Sequence, residues 1–568
     1  MNARSPSTTA QAPETIRLTK RSFKPGEIAD FIVIGSGAAG GVIARELSQG
    51  GFTVVVLEQG PRLGPADFEH DELKYSYLSG ITCDPHVSPQ TFRENAAQVA
   101  QPPPMGNSLV YARIVGGSSA HFTANFWRFH ENDFHERSLL GGIAGTGFAD
   151  WPITYQELEP YYTKVEWEVG VSGLAYASPF DPPRTKGYPM PPLPVKSSGV
   201  LLERGARQLG LHPFPAPMAI LSRQYRGRPG CAHCGFCIGF GCEVMAKSST
   251  LYTMIPEAEA TGRCEIRPHA YVHQVALDRH GRTTGVHYFD QHRHEQFQKE
   301  ARAVVLCANG AETPRLLLNS ATDRFPHGLA NSSGLVGKYL MFNQGSQVHA
   351  QFEHELNEYK SVQVTRIVHD FYDADLQRGF YGGGGIDARM GSQPLGWALA
   401  GGAELPRWGA EYKERLEAFP RSMMVAGHCT SLAQESNSVS IDPVLKDAWG
   451  IPAIRVTYKD HPDDLSMAKF LQDRALEIMQ AAGAVKTWRA AQRISRGGVH
   501  LLGTCRMGND PDTSVVDKYH RTHDVPNLFI CDGSSFVTSG RGQPTMTIQA
   551  LAFRAADHIG QFAKRGEI

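Results

Sequence analysis

The sequence predicts an α/β protein in which a Rossmann-like domain that binds a dinucleotide is joined to a second, α+β domain. The first observation behind this prediction is a pattern of strand, glycine-rich turn, helix and strand between residues 30 and 60. The second is the length of 568 residues, which is enough for two domains with separate cores. The third is a composition of 41% hydrophobic and 20% charged residues, which is ordinary for a large α/β protein.

The glycine-rich turn is the first element of the pattern. A β-branched and aromatic run at 31–34 leads directly into the motif formed by Gly35, Gly37 and Gly40. The first glycine permits a tight turn, the second lets the backbone approach a pyrophosphate, and the third lets the helix pack on the strand. A helical pattern and a second apolar run at 53–57 follow. The alternative is a glycine-rich turn with a purely structural role.

An acidic residue closes the second strand of the pattern. Glu58 stands eighteen residues after Gly40. A carboxylate at this position can accept hydrogen bonds from a ribose 2′-hydroxyl, and it disfavours a 2′-phosphate. The motif therefore predicts NAD or FAD as the ligand.

Charge and hydropathy narrow the possible partners. The formal net charge is −1, and no run of five like charges occurs, so a nucleic-acid or anionic-membrane partner is not expected. No stretch of eighteen apolar residues occurs, so no membrane span is expected. Residues 1–27 are polar and lack an apolar signal-peptide core, which predicts a flexible N-terminal arm without a secretory signal.

Four of the ten cysteines stand within twelve residues: Cys231, Cys234, Cys237 and Cys242. Structural zinc usually takes two pairs of cysteines that are separated by a dozen or more residues. The compressed spacing C-x2-C-x2-C-x4-C instead resembles loops that hold iron–sulfur clusters. It predicts an iron–sulfur site, and a zinc site or a structural thiol loop is the alternative.

Several stretches, in their order and spacing, resemble the glucose-methanol-choline (GMC) oxidoreductases, a family that holds FAD. They are residues 30–60, 115–128, 309–320, 500–508 and 527–559. Within the family, residues 151–162 and 231–250 are most similar to the large flavoprotein subunits of bacterial gluconate, fructose, glucose and glucoside dehydrogenases.

The resemblance implies a division of the chain into domains. The FAD-binding domain would consist of residues 28–130, 225–345 and 498–562, with the cysteine-rich loop at 231–242. Residues 131–224 and 346–497 would form an α+β substrate-binding domain built on an antiparallel sheet.

The resemblance also implies which residues contact the flavin. Gly116, Gly117 and Asn125 match the segment that lies along the flavin ring. His121 matches a histidine that some relatives bond covalently to the flavin 8α-methyl group, and a polar histidine beside the cofactor is the alternative. Val272, in a predicted strand at 270–277, matches the residue whose backbone contacts the adenine.

The C-terminal segment supplies the remaining flavin contacts that the resemblance implies. Asp532 and Gly533 follow a predicted strand at 528–531 and match a pair beside the ribityl chain and pyrophosphate, with a plain turn as the alternative. A helix is expected to start at Pro544 and Thr545, with its N-terminus directed at the flavin N1/C2=O edge. Arg541 is a further candidate for the border of this cavity, with ordinary loop structure as the alternative.

A catalytic pair is implied by the same resemblance. His500 heads the H-x-x-G-T motif, where the family places the base that takes the hydroxyl proton. The family's second residue, usually histidine or asparagine, precedes the proline of the last helix, and here that position holds Gln543. A glutamine cannot act as a base, so it is expected to position the substrate and stabilise an oxyanion.

The resemblance finally implies a function. We expect a bacterial FAD-dependent sugar or glycoside dehydrogenase with a 3Fe-4S cluster held by three of the four clustered cysteines. Its partners would be a small subunit and a cytochrome c, and it would be periplasmic if exported with that subunit and cytoplasmic otherwise. A sugar or alcohol oxidase with structural cysteines and a non-enzymatic electron-transfer subunit are the alternatives.

Overall fold

The computed structural model describes residues 21–24, 26–78, 80–103, 106–292, 294–400, 406–491 and 494–568. Most of the predicted arm at 1–27 lies outside these ranges. Its last part packs on the protein, because Phe23 is buried and donates its backbone N–H to Glu265 Oε2 at 2.6 Å.

The strands, in chain order, are β1 Ala29–Ile34, β2 Val54–Leu57, β3 Gln90–Arg93, β4 Phe214–Pro215, β5 Cys264–Arg267, β6 Ala270–Leu277, β7 Thr283–Asp290, β8 Glu295–Leu306, β9 Gly345–Gln351, β10 Arg366–Val368, β11 Gly384–Arg389, β12 Ser422–Cys429, β13 Ser438–Lys446, β14 Pro452–Thr457, β15 Lys486–Arg489 and β16 Leu528–Ile530.

The α-helices are α1 Gly40–Gln49, α2 Glu72–Ser76, α3 Glu136–Leu140, α4 Tyr155–Val169, α5 Ser197–Gln208, α6 Met254–Ala260, α7 Asn309–Asn319, α8 Pro394–Leu399, α9 Gly409–Glu417, α10 Pro462–Ala481 and α11 Thr545–Lys564. No helix in the described ranges is long and apolar enough to cross a bilayer.

The largest sheet contains the dinucleotide motif. Its order is β5-β2-β1-β8-β7-β6, and β16 pairs with the C-terminal half of β8. The strands β5, β2, β1, β8 and β16 run parallel, whereas β7 and β6 continue β8 as an antiparallel meander. Helices α1, α6 and α11 pack beside one another against this sheet. The carboxyl ends of the parallel strands therefore meet at one edge, where α/β sheets commonly bind ligands.

The second sheet is antiparallel throughout, in the order β15-β9-β12-β11-β10-β4. Helices α5 and α10 cover one face, and Val348, Val425, Leu471 and Ile478 are buried between the layers. The predicted fold class, a Rossmann-like domain with a second domain on an antiparallel sheet, is confirmed.

A small third sheet was not predicted. In it β14 pairs with β13 and with β3, so that residues 90–93 run alongside residues 454–457. This pairing joins segments that the sequence assigned to different domains, and the proposed domain boundaries stay a prediction.

Candidate active site

A cavity of about 650 Å³ opens at the carboxyl edge of the parallel strands. Its wall includes Gly35, Glu58 and Cys307, which directly follow β1, β2 and β8, and Asp532, the second residue after β16. Residues from the antiparallel sheet domain, including Gln393, close the other side. The volume lies within the range of roughly 300–1,000 Å³ typical of cofactor and ligand sites.

Two glycines of the first turn stand where a side chain would not fit. Gly35 has φ +90°, and a Cβ there would meet the Cys307 carbonyl oxygen at 2.6 Å. A Cβ on Gly40 would stand 1.9 Å from the Gly35 carbonyl oxygen, so only glycine lets α1 begin this close to the turn. Gly35 and Gly37 line the cavity, whereas Gly40 lies beneath it.

A second glycine turn interlocks with the first. Gly117 has φ +59°, and a Cβ on it would stand 2.7 Å from the Gly37 Cα atom. Gly116, with φ +96°, packs instead against Leu251. Gly117 lines the cavity, whereas Gly116 does not. The two turns together form a stretch of bare backbone that a cofactor can approach closely.

Replacing Gly117 with alanine is expected to weaken FAD binding roughly tenfold to hundredfold. The new methyl group would press on Gly37 and separate the two turns, and strain of this kind costs about 1–3 kcal/mol. FAD occupancy and the dissociation constant, measured after mild removal of flavin, check the prediction. Gly210→Ala is the matched control, because Gly210 also has positive φ but no atom within 4 Å of its Cβ position. Equal losses in both variants would contradict the argument.

Glu58 lies where a ribose-binding carboxylate is expected. Its Oε2 accepts hydrogen bonds from the Ser36 backbone at 3.0 Å and from the Ser36 hydroxyl at 2.7 Å, and Oε1 accepts one from the Gly60 N–H at 3.0 Å. Burial raises the pKa of Glu58, and these donors oppose the rise. The donors hold the side chain in one orientation on the cavity wall. Val272, on β6, lines the same part of the cavity.

Asp532 ties together the segments at the other end of the cavity. Its Oδ2 accepts the Asn309 backbone N–H at 2.9 Å and the Thr313 hydroxyl at 2.6 Å, and Oδ1 accepts the Ser534 backbone N–H at 2.8 Å. The carboxylate thereby fixes the start of α7 against the turn that follows β16. Asp532 and Gly533 both line the cavity.

Two predicted flavin contacts retain unpaired polar atoms in the described residues. His121 lines the cavity, and its Nε2 is buried without a hydrogen-bond partner there. Burial, with a smaller effect from Lys247, lowers the pKa of His121 to about 4. Asn125 does not line the cavity; its Nδ2 donates to Asp387 Oδ2 at 3.3 Å, and its Oδ1 is unpaired.

These features fit FAD. The interlocked glycine turns put bare backbone on the cavity wall, Glu58 is held on the same wall, and His121 lines the cavity with a buried Nε2 that has no partner among the described residues. Helix α11 begins at the cavity with Pro544 and Thr545 on the wall. Its unpaired N-terminal amides favour negative charge nearby.

His500 is held in the tautomer that a base requires. Its Nδ1 lies 2.9 Å from Asn343 Oδ1. The amide of Asn343 cannot be reversed, because its Nδ2 donates to the carbonyl oxygens of Cys429, Ser539 and Gly540. The Nδ1 of His500 must therefore donate, which leaves Nε2 with a lone pair. Burial, with a smaller effect from His428, lowers the pKa of His500 to about 4, so the ring is neutral at pH 7.

Gln543 lines the same cavity as His500, next to Pro544 and Thr545. Arg541 does not line the cavity, so for this residue the alternative of ordinary loop structure holds. Its guanidinium is 1% exposed and is ion-paired with Asp133 and Glu136 on the far side of the loop. An arginine two residues from a cavity can point into it or away from it, and these buried carboxylates determine the direction.

The cysteine-rich loop touches the cavity, but its thiols do not converge. Ile238, Gly239 and Phe240 line the cavity wall, and the Gly239 N–H donates to the His121 carbonyl oxygen at 2.8 Å. Across the described ranges, no group of three or more His, Cys, Asp or Glu side chains could hold a metal ion. As they stand, Cys231, Cys234, Cys237 and Cys242 therefore do not fit an iron–sulfur cluster.

Some features of this loop nevertheless suit thiolate ligands. Backbone N–H groups of His233 and Lys247 donate to the Sγ atoms of Cys231 and Cys242, at 3.3 and 3.4 Å. Cys234 is exposed, whereas Cys237 is buried. Burial raises the pKa of Cys231 to about 11 and of Cys237 to about 12, so binding of a metal would have to release their protons.

Sequence reasoning missed the residues that support His500. Asn343, which fixes the histidine tautomer, belongs to no recognisable motif. His428, Asp387 and Arg389 form a hydrogen-bonded group and come from two neighbouring strands of the antiparallel sheet. The sequence signal that could have identified this group is the presence of polar residues within otherwise apolar predicted strands.

Comparisons with known proteins agree with this geometry. A family model described as GMC oxidoreductase matches residues 29–343, and a second with the same description matches residues 433–552. The 2-methyl-1,2-propanediol dehydrogenase of Mycolicibacterium austroafricanum is 36% identical, over 94% of this chain and 95% of its own length. The fructose dehydrogenase large subunit of Gluconobacter japonicus is 31% identical, over 95% and 99%. A formate oxidase structure from Aspergillus oryzae superposes with a TM-score of 0.67 at 15% identity, over 96% of this chain and 100% of that one.

Proposed function

Because this chain belongs to the GMC oxidoreductase family, we propose that it is a dehydrogenase that oxidises one hydroxyl group of a sugar or glycoside. Membership makes the protein an FAD-dependent oxidoreductase that acts on hydroxyl groups of alcohol- or sugar-type substrates. The observation that carries the proposal is the neutral His500 imidazole, whose free Nε2 shares one cavity with the glycine cradle.

The residues of this chain divide the reaction between them. His500 Nε2 takes the hydroxyl proton, and Asn343 keeps Nδ1 protonated throughout. FAD, when bound, would supply the acceptor for the hydride that leaves the carbon bearing that hydroxyl group. The Gln543 amide can donate to the substrate oxygen as its charge develops, and the α11 N-terminus favours negative charge on the cavity wall.

Anaerobic titration of the purified protein with a panel of sugars, glycosides and diols tests the proposal. We expect loss of the flavin absorbance near 450 nm with at least one sugar or glycoside. Reduction by simple alcohols alone would contradict the sugar assignment. Failure of every hydroxyl compound to reduce bound flavin would favour a non-enzymatic electron-transfer subunit.

We also propose that the cysteine-rich loop binds an iron–sulfur cluster, of the 3Fe-4S type, after its thiols rearrange. The spacing of the four cysteines and the N–H donors to Cys231 and Cys242 support this proposal. Contact of the loop with the cavity through residues 238–240 would keep such a cluster near the flavin.

Iron and acid-labile sulfide, quantified in protein purified without oxygen, test the cluster directly. We expect about three irons per chain and an EPR signal in the oxidised protein. Absence of iron after reconstitution would make the cysteines structural, and rapid reoxidation of the flavin by oxygen would then indicate an oxidase.

A complex with other proteins follows from the same proposal. Electrons that leave one at a time require an external carrier such as a cytochrome c, and the fructose dehydrogenase relative is itself named as a large subunit. We propose that this chain works with a small subunit, and in the periplasm where that subunit carries an export signal. Co-purification from cells that express the neighbouring genes, with fractionation, tests both statements.

A further inference from the structure

A buried lysine lies between the cavity and the cysteine-rich loop. Lys247 is 2% exposed. Its Nζ donates to the carbonyl oxygens of Phe122 at 3.1 Å, of Phe240 at 2.7 Å and of Cys237. Phe122 and Phe240 line the cavity, whereas Lys247 does not. The amino group therefore lies directly behind the cavity wall, one hydrogen bond away from two residues of that wall.

The three carbonyl oxygens hold the side chain of Lys247 in its protonated form. An ammonium group has three N–H donors, one for each oxygen. A neutral amine has two N–H groups and would turn its lone pair toward the third oxygen. Burial lowers the pKa of Lys247, and any negative charge on the clustered cysteines opposes this. No carboxylate in the described part of the chain pairs with the ammonium, so no neighbouring side chain neutralises its charge as an ion pair would.

The segment that carries Lys247 is fixed to the backbone that forms the cavity. Lys247 pairs with Ile220 in an antiparallel bridge. Three residues further on, the Thr250 hydroxyl donates to the Ser36 carbonyl oxygen at 3.0 Å, and Ser36 belongs to the first glycine turn. The position of the positive charge relative to the cavity is therefore set by backbone contacts on both sides.

The wall in front of the lysine extends from the glycine turns toward the antiparallel sheet. Most of residues 117–123 line the cavity, and just beyond them Asn125 donates to Asp387 on β11 at 3.3 Å. Glycine turns of this kind hold the pyrophosphate, so the flavin ring is expected to extend past them along this stretch. Burial and, after it, the charge of Lys247 lower the pKa of His121 in the same stretch.

We propose that the charge of Lys247 stabilises the reduced form of the bound flavin and so raises its midpoint potential. The proposal deepens the proposed function and rests on it, because it requires a flavin that accepts hydride in this cavity. Reduction places negative charge on the flavin, and a fixed positive charge nearby favours that form over the neutral oxidised one. Lys247 acts by its charge from behind the wall, so it is not a catalytic residue.

The midpoint potential of the flavin in the holoprotein tests the proposal without substrate. Lys247→Gln keeps two N–H donors and removes the charge. We expect this change to alter the ratio of the dissociation constants of reduced and oxidised FAD about tenfold against the reduced form. A tenfold change in this ratio lowers the two-electron potential by about 30 mV. Equilibration with a reference dye in the absence of oxygen measures the potential.

Three further variants separate charge from packing. Lys247→Arg keeps the charge and is expected to keep the wild-type potential. Lys247→Met has neither charge nor donors and is expected to match Lys247→Gln. Lys299→Met is the matched control, because Lys299 is also buried and also donates to a backbone carbonyl oxygen, that of Glu27, but does not line the cavity. Its potential is expected to equal that of the wild type.

The proposal is overturned if Lys247→Gln keeps the wild-type potential, or if Lys247→Arg or Lys299→Met lowers it as much as Lys247→Gln does. Iron is counted in the same samples, and loss of iron with an unchanged potential would assign the lysine to the cysteine-rich loop instead. Should Lys247→Met lose its flavin, the glutamine and arginine variants still decide. Sugars are added last. Failure of every sugar to reduce a flavin whose potential shifts as expected would count against the proposed function alone.

Discussion

His500→Ala is expected to slow anaerobic flavin reduction by about 10²–10⁴-fold and to leave FAD bound. That range is the usual contribution of a positioned general base. His500 contributes one side chain to a cavity whose cofactor cradle is made of backbone and of Glu58, so its removal leaves the cradle intact. Stopped-flow reduction, with FAD occupancy measured on the same samples, checks both parts. His86→Ala, at an exposed position, is the control.

The pH dependence of the wild-type reduction rate adds an independent check. The pKa of His500 is about 4, and the neutral ring is the active form. The rate is therefore expected to be flat between pH 6 and 8 and to fall about tenfold per unit below pH 4. Near wild-type reduction by His500→Ala would contradict the assignment of the base. Loss of FAD from that variant would instead make His500 a structural residue.

The parts of the fold that depend on local spacing could be predicted from the sequence. The glycine motif fixes a turn between β1 and α1 because a Cβ on Gly35 or on Gly40 would collide with backbone. The predicted strand at 270–277 coincides with β6. The pairing of β3 with β14 could not be predicted, since it joins residues more than 350 positions apart and neither strand is distinctive by itself.

The same distinction applies to the candidate site. His500 and Gln543 stand in motifs, and the structure brings both to one cavity. Asn343 was missed because its role arises from its contact with His500, and no short pattern encodes that contact. For the four cysteines the sequence shows a motif but does not determine its geometry. Their spacing identifies a possible ligand set, but it does not determine whether the thiols point toward one centre, and here they do not.

Arg541→Met is expected to destabilise the protein by about 3–5 kcal/mol, because it leaves two buried carboxylates without their counter-charge. Arg541 is ion-paired with Asp133 and Glu136, whose side chains are 0% and 3% exposed. The Tyr372 and Tyr381 hydroxyls donate to the same carboxylates, each at 2.7 Å, but carry no charge. Since Arg541 also donates to the Tyr372 carbonyl oxygen, the variant should loosen the loop that bears Gln543. Urea unfolding at pH 7.5 measures the loss.

Two measurements test whether unpaired buried charge causes this loss of stability. Burial already raises the pKa of Asp133 to about 6 against the opposing charge of Arg541, so removal of the arginine should raise it further. A folded-state pKa above the unfolded value of about 3.9 means that stability falls as pH rises, so Arg541→Met should lose more stability at pH 8 than at pH 5.5. The variant that combines Arg541→Met with Asp133→Asn and Glu136→Gln has no buried charge left in this group, and it is expected to recover most of the loss. An equal deficit at both pH values, unchanged in the combined variant, would instead assign the effect to lost packing around the guanidinium.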